Sequence, residues 1–211
     1  MKRGMGSFAA FIQGHSPMFL FHTVLFIMGV IFGALLVNSL TYMQKDDLLY
    51  FLNEFFSQME NGQMSPPADV FWHTLSYNGK YIGLMWLLGI SMIGLPFILI
   101  LLFLKGMIIG FTIGFLVQQM GWQGFFLSFV SVLPQNFIII PLFIAVAVIS
   151  VKFSLQMMRK LFVRSVFQPF APIFLQYCLF FGIAMLFLVG AALIEGYLTP
   201  IFIKGILKLF S

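Results

Sequence analysis

The run GMIIGFTIGFLV, residues 106–117, opens a stretch of 46 residues between Lys105 and Lys152 that contains no Asp, Glu, Lys or Arg. At the helical rise this is roughly 69 Å of helix, about twice the hydrocarbon thickness of a bilayer. The stretch therefore reads as a hairpin of two membrane helices. Its turn is expected between Gln118 and Gln135, where Gln118, Gln119, Gly121, Trp122, Gln123 and Gly124 cluster. In the first half, Gly106, Gly110 and Gly114 recur every four residues on one helix face. Such a ridge lets another backbone approach closely where lipid supplies no hydrophobic drive for association. The approaching helix can belong to the same chain or to a second copy across a homodimer seam. The second half carries Pro134-Gln135-Asn136 and Pro141. Polar groups and broken backbone bonds are costly in lipid unless they are buried against protein or face a watery cavity.

Composition agrees with this reading. Of 211 residues, 61% are hydrophobic and only 8% charged, too few to cover a soluble surface. The chain is expected to be an all-α polytopic membrane protein, one membrane domain over residues 1–211. Its net charge of +5 comes from basic residues between apolar runs, so they read as topology signals and no nucleic-acid partner is implied. The single cysteine, Cys178, excludes an intrachain disulfide.

About five spans are expected, near 18–40, 81–104, 106–126, 129–151 and 172–194. Residues 1–17, with Lys2, Arg3 and the patch Phe8 to Ile12, suit a short interfacial helix. The first span is too long for a signal peptide's apolar core and is read as retained. It holds a second four-spaced pair, Gly29 and Gly33, and His22 near its charged end, read as interfacial rather than proton-handling. Segment 41–80 has two basic against five acidic residues, a net charge of −3. Within it, Leu48, Leu49, Leu52, Phe55, Phe56 and Met59 recur at helical spacing after Asp46-Asp47, and Ser65-Pro66-Pro67 announces a second short helix bearing Phe71, Trp72 and Leu75. These amphipathic helices can lie on the membrane surface, cover the bundle or receive a partner. The second span is expected to kink near Pro96 and to end at Lys105, whose side chain snorkels to the interface. Lys152, Arg159, Lys160 and Arg164 make 152–170 the most basic loop, and 195–211 is too short to cross again. The positive-inside rule then puts the N-terminus in the cytoplasm, and segment 41–80 and the C-terminal tail outside.

No phosphate-binding glycine loop, His-Glu-x-x-His, cysteine pair or Gly-x-Ser-x-Gly occurs. Catalytic, metal and cofactor-binding residues are accordingly expected to be none, and the chain is read as a non-enzyme. Glu195 is the one carboxylate close to an apolar span, which speaks against a pump. A passive pore lined by Thr112, Gln118, Gln119, Gln123, Ser128, Ser131, Gln135 and Asn136 stays open as an alternative. Small-residue ridges without catalytic groups favour a protein of assembly. Leu48, Leu52, Phe55, Phe56, Phe71, Trp72 and Glu195 are its candidate partner-facing residues.

MGVIFGA (28–34), VNSL (37–40), QKDDL (44–48), GIS (89–91), GLP (94–96), LLFLKG (101–106), QMGW (119–122), FVSVLPQN (129–136) and EGYLTP (195–200) together resemble the stage II sporulation protein M family of endospore-forming bacteria. The likeness covers nearly the whole chain. It implies a five-span protein of the sporulation septum and engulfing mother-cell membrane, without a cofactor. Its implied partners are stage II sporulation proteins D and P, the peptidoglycan hydrolases of the engulfment complex, together with membrane lipid. On this reading the chain holds and positions hydrolases without being one. Wider relatives often carry Pro-His-Gly and a Glu before the next proline. Here those positions read Pro134-Gln135-Asn136 and Ile140-Pro141, so ion chemistry is not carried over.

Overall fold

The computed structural model describes residues 16–60, 66–91, 93–162 and 170–198, and among them the secondary structure is helical throughout. The elements are α1 (Ser16–Leu36) with a 3₁₀ turn (Val37–Ser39), α2 (Tyr42–Glu60), α3 (Pro67–Ile90), α4 (Gly94–Phe162) and α5 (Phe170–Leu193), extended by a π turn (Ile194–Leu198). The N-terminal patch, residues 163–169 of the basic loop and the tail beyond Leu198 lie outside the described residues, as do the side chains of Phe55, Phe56, Pro134 and Gln135.

Helix α4 is the hairpin. Gly121 has φ 58° and ψ −131°, which divides the helix into a first arm (94–120) and a second arm (122–162). A positive φ is available to glycine without a Cβ clash, so the reversal falls on this residue within the polar cluster. Among the described residues, four helical stretches are long and apolar enough to cross a membrane: Ser16–Ser39, Gly94–Phe126, Asn136–Arg159 and Ala171–Tyr197.

The expected second span, 81–104, is not one helix. The chain leaves α3 at Ser91, which is extended (φ −93°, ψ 136°), and starts α4 at Gly94. Pro96 therefore sits in the first turn of a new helix, where its missing N–H has no intrahelical partner to lose, and it makes no kink there. Residues 71–75, expected as a second short surface helix, are instead the opening of the 24-residue α3, with Pro66 at the cap position and Pro67 in the first turn. Helix α3 runs through the bundle as a more polar element, with Ile82 and Met85 fully buried. Helix α2 begins a turn earlier than Asp46-Asp47, because the Gln44 side chain accepts a hydrogen bond from the Thr41 N–H at 3.0 Å, half of a capping box.

Contacts along the helices set their directions. Gly106 meets Phe26, Gly110 meets Val30 and Gly114 meets Ala34, so α1 and the first arm are parallel with a constant offset. Phe153 packs on Phe174 and on Tyr177, and Gly79 faces Leu188, so α5 runs antiparallel to both the second arm and α3. The starts of α1, α4 and α5 consequently share one end of the bundle with exposed Arg159, and Gly121, the start of α3 and the π turn share the other. The core lies between α3, the two arms and α5, built on Ile98, Leu102, Ile139, Phe143, Val148 and Leu188.

Candidate functional site

Two packing centres organise the bundle. The first joins the glycine ridges. A Cβ added at Gly110 would meet the Val30 carbonyl, one at Gly106 the Phe26 carbonyl, and one at Gly29 or Gly33 the carbonyls of Phe103 or Met107. All five glycines of the two four-spaced series thus meet within one chain, each accepting the backbone of the facing helix. This close approach favours van der Waals packing and weak Cα–H contacts, the main attractions left to apolar helices in lipid. At its end, Gln118 Nε2 donates to Asn38 Oδ1 at 3.0 Å.

The second centre is polar and was not expected from the sequence. Lys105 is 6% exposed, in the interior of the first arm, 11 residues after Gly94. Its Nζ donates to Asn78 Oδ1 of α3 at 2.7 Å. Asn78 Nδ2 donates in turn to the Thr74 carbonyl at 3.1 Å, which orients the amide with its oxygen toward the lysine. The ammonium also lies 5.0 Å from the Tyr77 ring, 5.6 Å from Tyr81 and 5.0 Å from Phe143 of the second arm, three faces with favourable quadrupoles for a cation. Glu195 is half-buried on the π turn, which packs on α3 and on the first arm, and one of its carboxylate oxygens is shielded from solvent. A buried ammonium is expensive in a medium of low dielectric constant, and this shell of amide dipole and π faces offsets the cost.

One expectation is corrected here. Lys105 does not close a span or snorkel, because the helix that carries it begins at Gly94 and places it in the interior. It is no topology signal. Glu195, expected to face a partner, is half-buried on the π turn. The available clue was the triplet Gly94-Leu95-Pro96: read as a helix start, it would have made Lys105 an intramembrane charge.

Nearer the basic end, Tyr177 donates to the Trp86 carbonyl at 2.8 Å and lies 2.9 Å from Ser150 Oγ. Its one hydroxyl proton goes to the carbonyl, so Ser150 is the donor to Tyr177. Ser154 donates to the Ser91 carbonyl at 3.1 Å, and Phe153 stacks on Tyr177 at 4.2 Å. These bonds tie the end of α3 to the second arm and α5. His22, expected at the interface, is 2% exposed, with Nδ1 on the Met18 carbonyl at 2.7 Å, because it lies on the face of α1 that also carries buried Phe26 and Gly29.

The polar hairpin residues go to separate places. Asn136 is buried and, with Ile109, Ile113, Ser128, Phe137 and Pro141, lines a largely apolar cavity of about 370 Å³. Thr112 and Ser128 return their hydroxyls to the carbonyls of Ile108 and Gly124, one turn back. Among the described residues these groups do not converge on a polar path. Of the residues expected to face a partner, Leu48, Leu52 and Phe71 are half-buried and Trp72 is 64% exposed. Helix α2 does not pack along any other described helix, so it does not cover the bundle. No group of three or more His, Cys, Asp or Glu suited to a metal occurs among the described residues.

The fold and its two centres define an all-α, multi-pass membrane protein. The chain belongs to the stage II sporulation protein M family, whose family model matches residues 22–200. It is accordingly a sporulation-related membrane protein. No curated protein and no solved structure matches it.

Proposed function

We propose that this protein is the membrane scaffold of the sporulation engulfment complex, recruiting and positioning peptidoglycan hydrolases at the septal and engulfing membrane. The observation that carries the reading is α2: an amphipathic helix that stands clear of the bundle and exposes Tyr42, Met43, Tyr50 and Phe51, with fractional exposures from 65% to 90%. A helix that packs along no other described helix and exposes large apolar side chains is suited to receiving another surface. With the basic end in the cytoplasm, the positive-inside rule sets α2, the exposed Trp72 and the π turn on the wall side, where hydrolases work. The proposed partners are stage II sporulation proteins D and P, with the membrane lipid around the bundle. The family match supports a place in sporulation, and the complex itself is the proposal.

The test is affinity capture of the tagged protein from detergent-solubilised membranes of sporulating cells, with partners identified by mass spectrometry. Recovery of both hydrolases, lost when α2 is replaced by a flexible linker, is the expected result. Capture without either hydrolase, together with solute flux in reconstituted vesicles, would overturn the scaffold and favour a small channel.

A further inference from the structure

The largely apolar cavity between the two arms is one part of a longer furrow. Buried Ile109 forms its floor and half-buried Ile140 a wall, with exposed Phe125, Phe129 and Phe137 at its mouth. A second hollow of about 430 Å³ adjoins it, lined by Val30, Ala34 and Val37 of α1 and by Gly110, Gly114 and Val117 of the first arm. Ile113 and Phe125 line both hollows, so the two meet there. Gly110 and Gly114 bring no side chain to fill the second. At its end stand Asn38 and Gln118, both exposed and joined by the hydrogen bond from Gln118 Nε2 to Asn38 Oδ1 at 3.0 Å. From Gln118 inward to Ile109 the furrow follows the first arm for nine residues, roughly 13 Å at the helical rise, against roughly 15 Å of hydrocarbon in one leaflet. It starts beside the turn at Gly121, where exposed Trp122 suits the membrane surface.

We propose that the furrow binds a diacyl phospholipid of the leaflet at the hairpin end: one acyl chain lies in it from Gln118 to Ile109, and the ester region meets the Asn38–Gln118 amide pair. Water gains little in so apolar a space, and an unfilled void forfeits dispersion contacts with its lining. At this depth the medium around the bundle is hydrocarbon. A helix, about 10–12 Å across with its side chains, is too wide to lie along the furrow, whereas an acyl chain is thin and pliant enough to follow it. The polar end fits the polar end of the lipid. One N–H of the Gln118 amide goes to Asn38, and its other N–H with the two of Asn38 Nδ2 can donate to ester and phosphate oxygens. A mostly apolar cleft of this volume with a few polar groups at one end has the makeup of a ligand site. The lipid thereby seals the glycine-packed helices to the second arm. The site rests on the bundle's place in the membrane and not on the scaffold reading.

The test uses the full-length protein in vesicles of phosphatidylethanolamine and phosphatidylglycerol. These are doped with a phosphatidylglycerol carrying a photoactivatable diazirine midway along one acyl chain, and labelled residues are mapped by mass spectrometry. Ile31 and Leu35 of α1 are the reference positions: both are exposed, and the contacts of Gly110 with Val30 and of Gly114 with Ala34 set them at the depth of the furrow. Ile109 is 8% exposed, so a chain inside the furrow is needed to reach it. Label on Ile109 and Ile140 is expected to equal or exceed that on Ile31 and Leu35. Ile113→Trp fills the junction of the two hollows and is expected to lower label on Ile109 and Ile140 by at least about tenfold, with Ile31 and Leu35 unchanged. Asn38→Leu with Gln118→Leu is expected to lower it by about fivefold, the worth of one hydrogen bond. Label confined to the exposed positions would overturn the site, and so would unaltered label in Ile113→Trp. Unaltered label in the Asn38→Leu, Gln118→Leu protein would overturn the polar anchor. A disulfide-linked dimer formed through Phe137→Cys in a Cys178→Ser background would give the furrow to a second copy of the chain and overturn the lipid. Where Ile113→Trp does not accumulate, the label on Ile109 in the parent decides alone.

Discussion

The two packing centres share the first arm of α4 and hold it by opposite means. On one face, Gly106, Gly110 and Gly114 admit the backbone of α1 with no polar side chain between the helices until Gln118 and Asn38. On another, Lys105 reaches into α3 and the second arm through a hydrogen bond and three aromatic faces. Backbone approach is indifferent to protonation but intolerant of added volume. A buried charge tolerates modest changes of shape but not the loss of a counterpart. Lipid enforces both, because it offers neither a hydrophobic drive for close helices nor solvation for an ammonium.

The sharpest break in this comparison is Lys105→Ala, which leaves Asn78 Oδ1 without its donor and empties the space among the Tyr77, Tyr81 and Phe143 rings. A loss of about 3–4 kcal/mol is expected, seen as a large fall in the thermal midpoint in detergent. Lys105→Arg keeps the charge and should fall by less. Gly110→Leu comes next. Its side chain would enter the Val30 backbone, and a loss of about 3 kcal/mol is expected, with low abundance in the membrane. Gly182→Leu sharpens that result, since nothing lies within 4 Å of a Cβ there and accumulation should match the parent. Tyr177→Phe removes the bonds to the Trp86 carbonyl and Ser150 and keeps the stack on Phe153, so a smaller loss of about 1–2 kcal/mol is expected in the same melt. Smallest in stability is Trp72→Ala. At an exposed position it should change the melt by less than about 0.5 kcal/mol while lowering hydrolase recovery in the capture experiment. A Trp72→Ala protein that captures both hydrolases fully would remove this residue from the partner surface.

The glycine ridges were legible because a four-residue spacing encodes a helix face directly, whatever the helix packs against. The turn of the hairpin was legible to within its polar cluster, and Gly121 within that cluster is the residue able to adopt φ 58°. The polar centre was hidden by a boundary. An uninterrupted apolar reading of 81–104 put Lys105 at a membrane edge, whereas the extended Ser91 and the new helix start at Gly94 put it in the interior. Asn78 and Tyr77 then looked like part of a surface segment, because α3 is not apolar enough to announce itself as passing through the bundle.

By itself, the sequence determined that this chain lives in a membrane, that it is helical, which helix faces carry small residues and which end is basic. Those properties follow from local composition and period, which neighbours in space do not alter. The tertiary structure decided that the two glycine ridges meet each other in one chain, that Lys105 and Asn78 share a site, and that α2 packs along no other described helix. Those are matters of which helix lies beside which. They depend on chain reversals at Ser91 and Gly121 that turn a residue's place along the chain into its depth in the bundle.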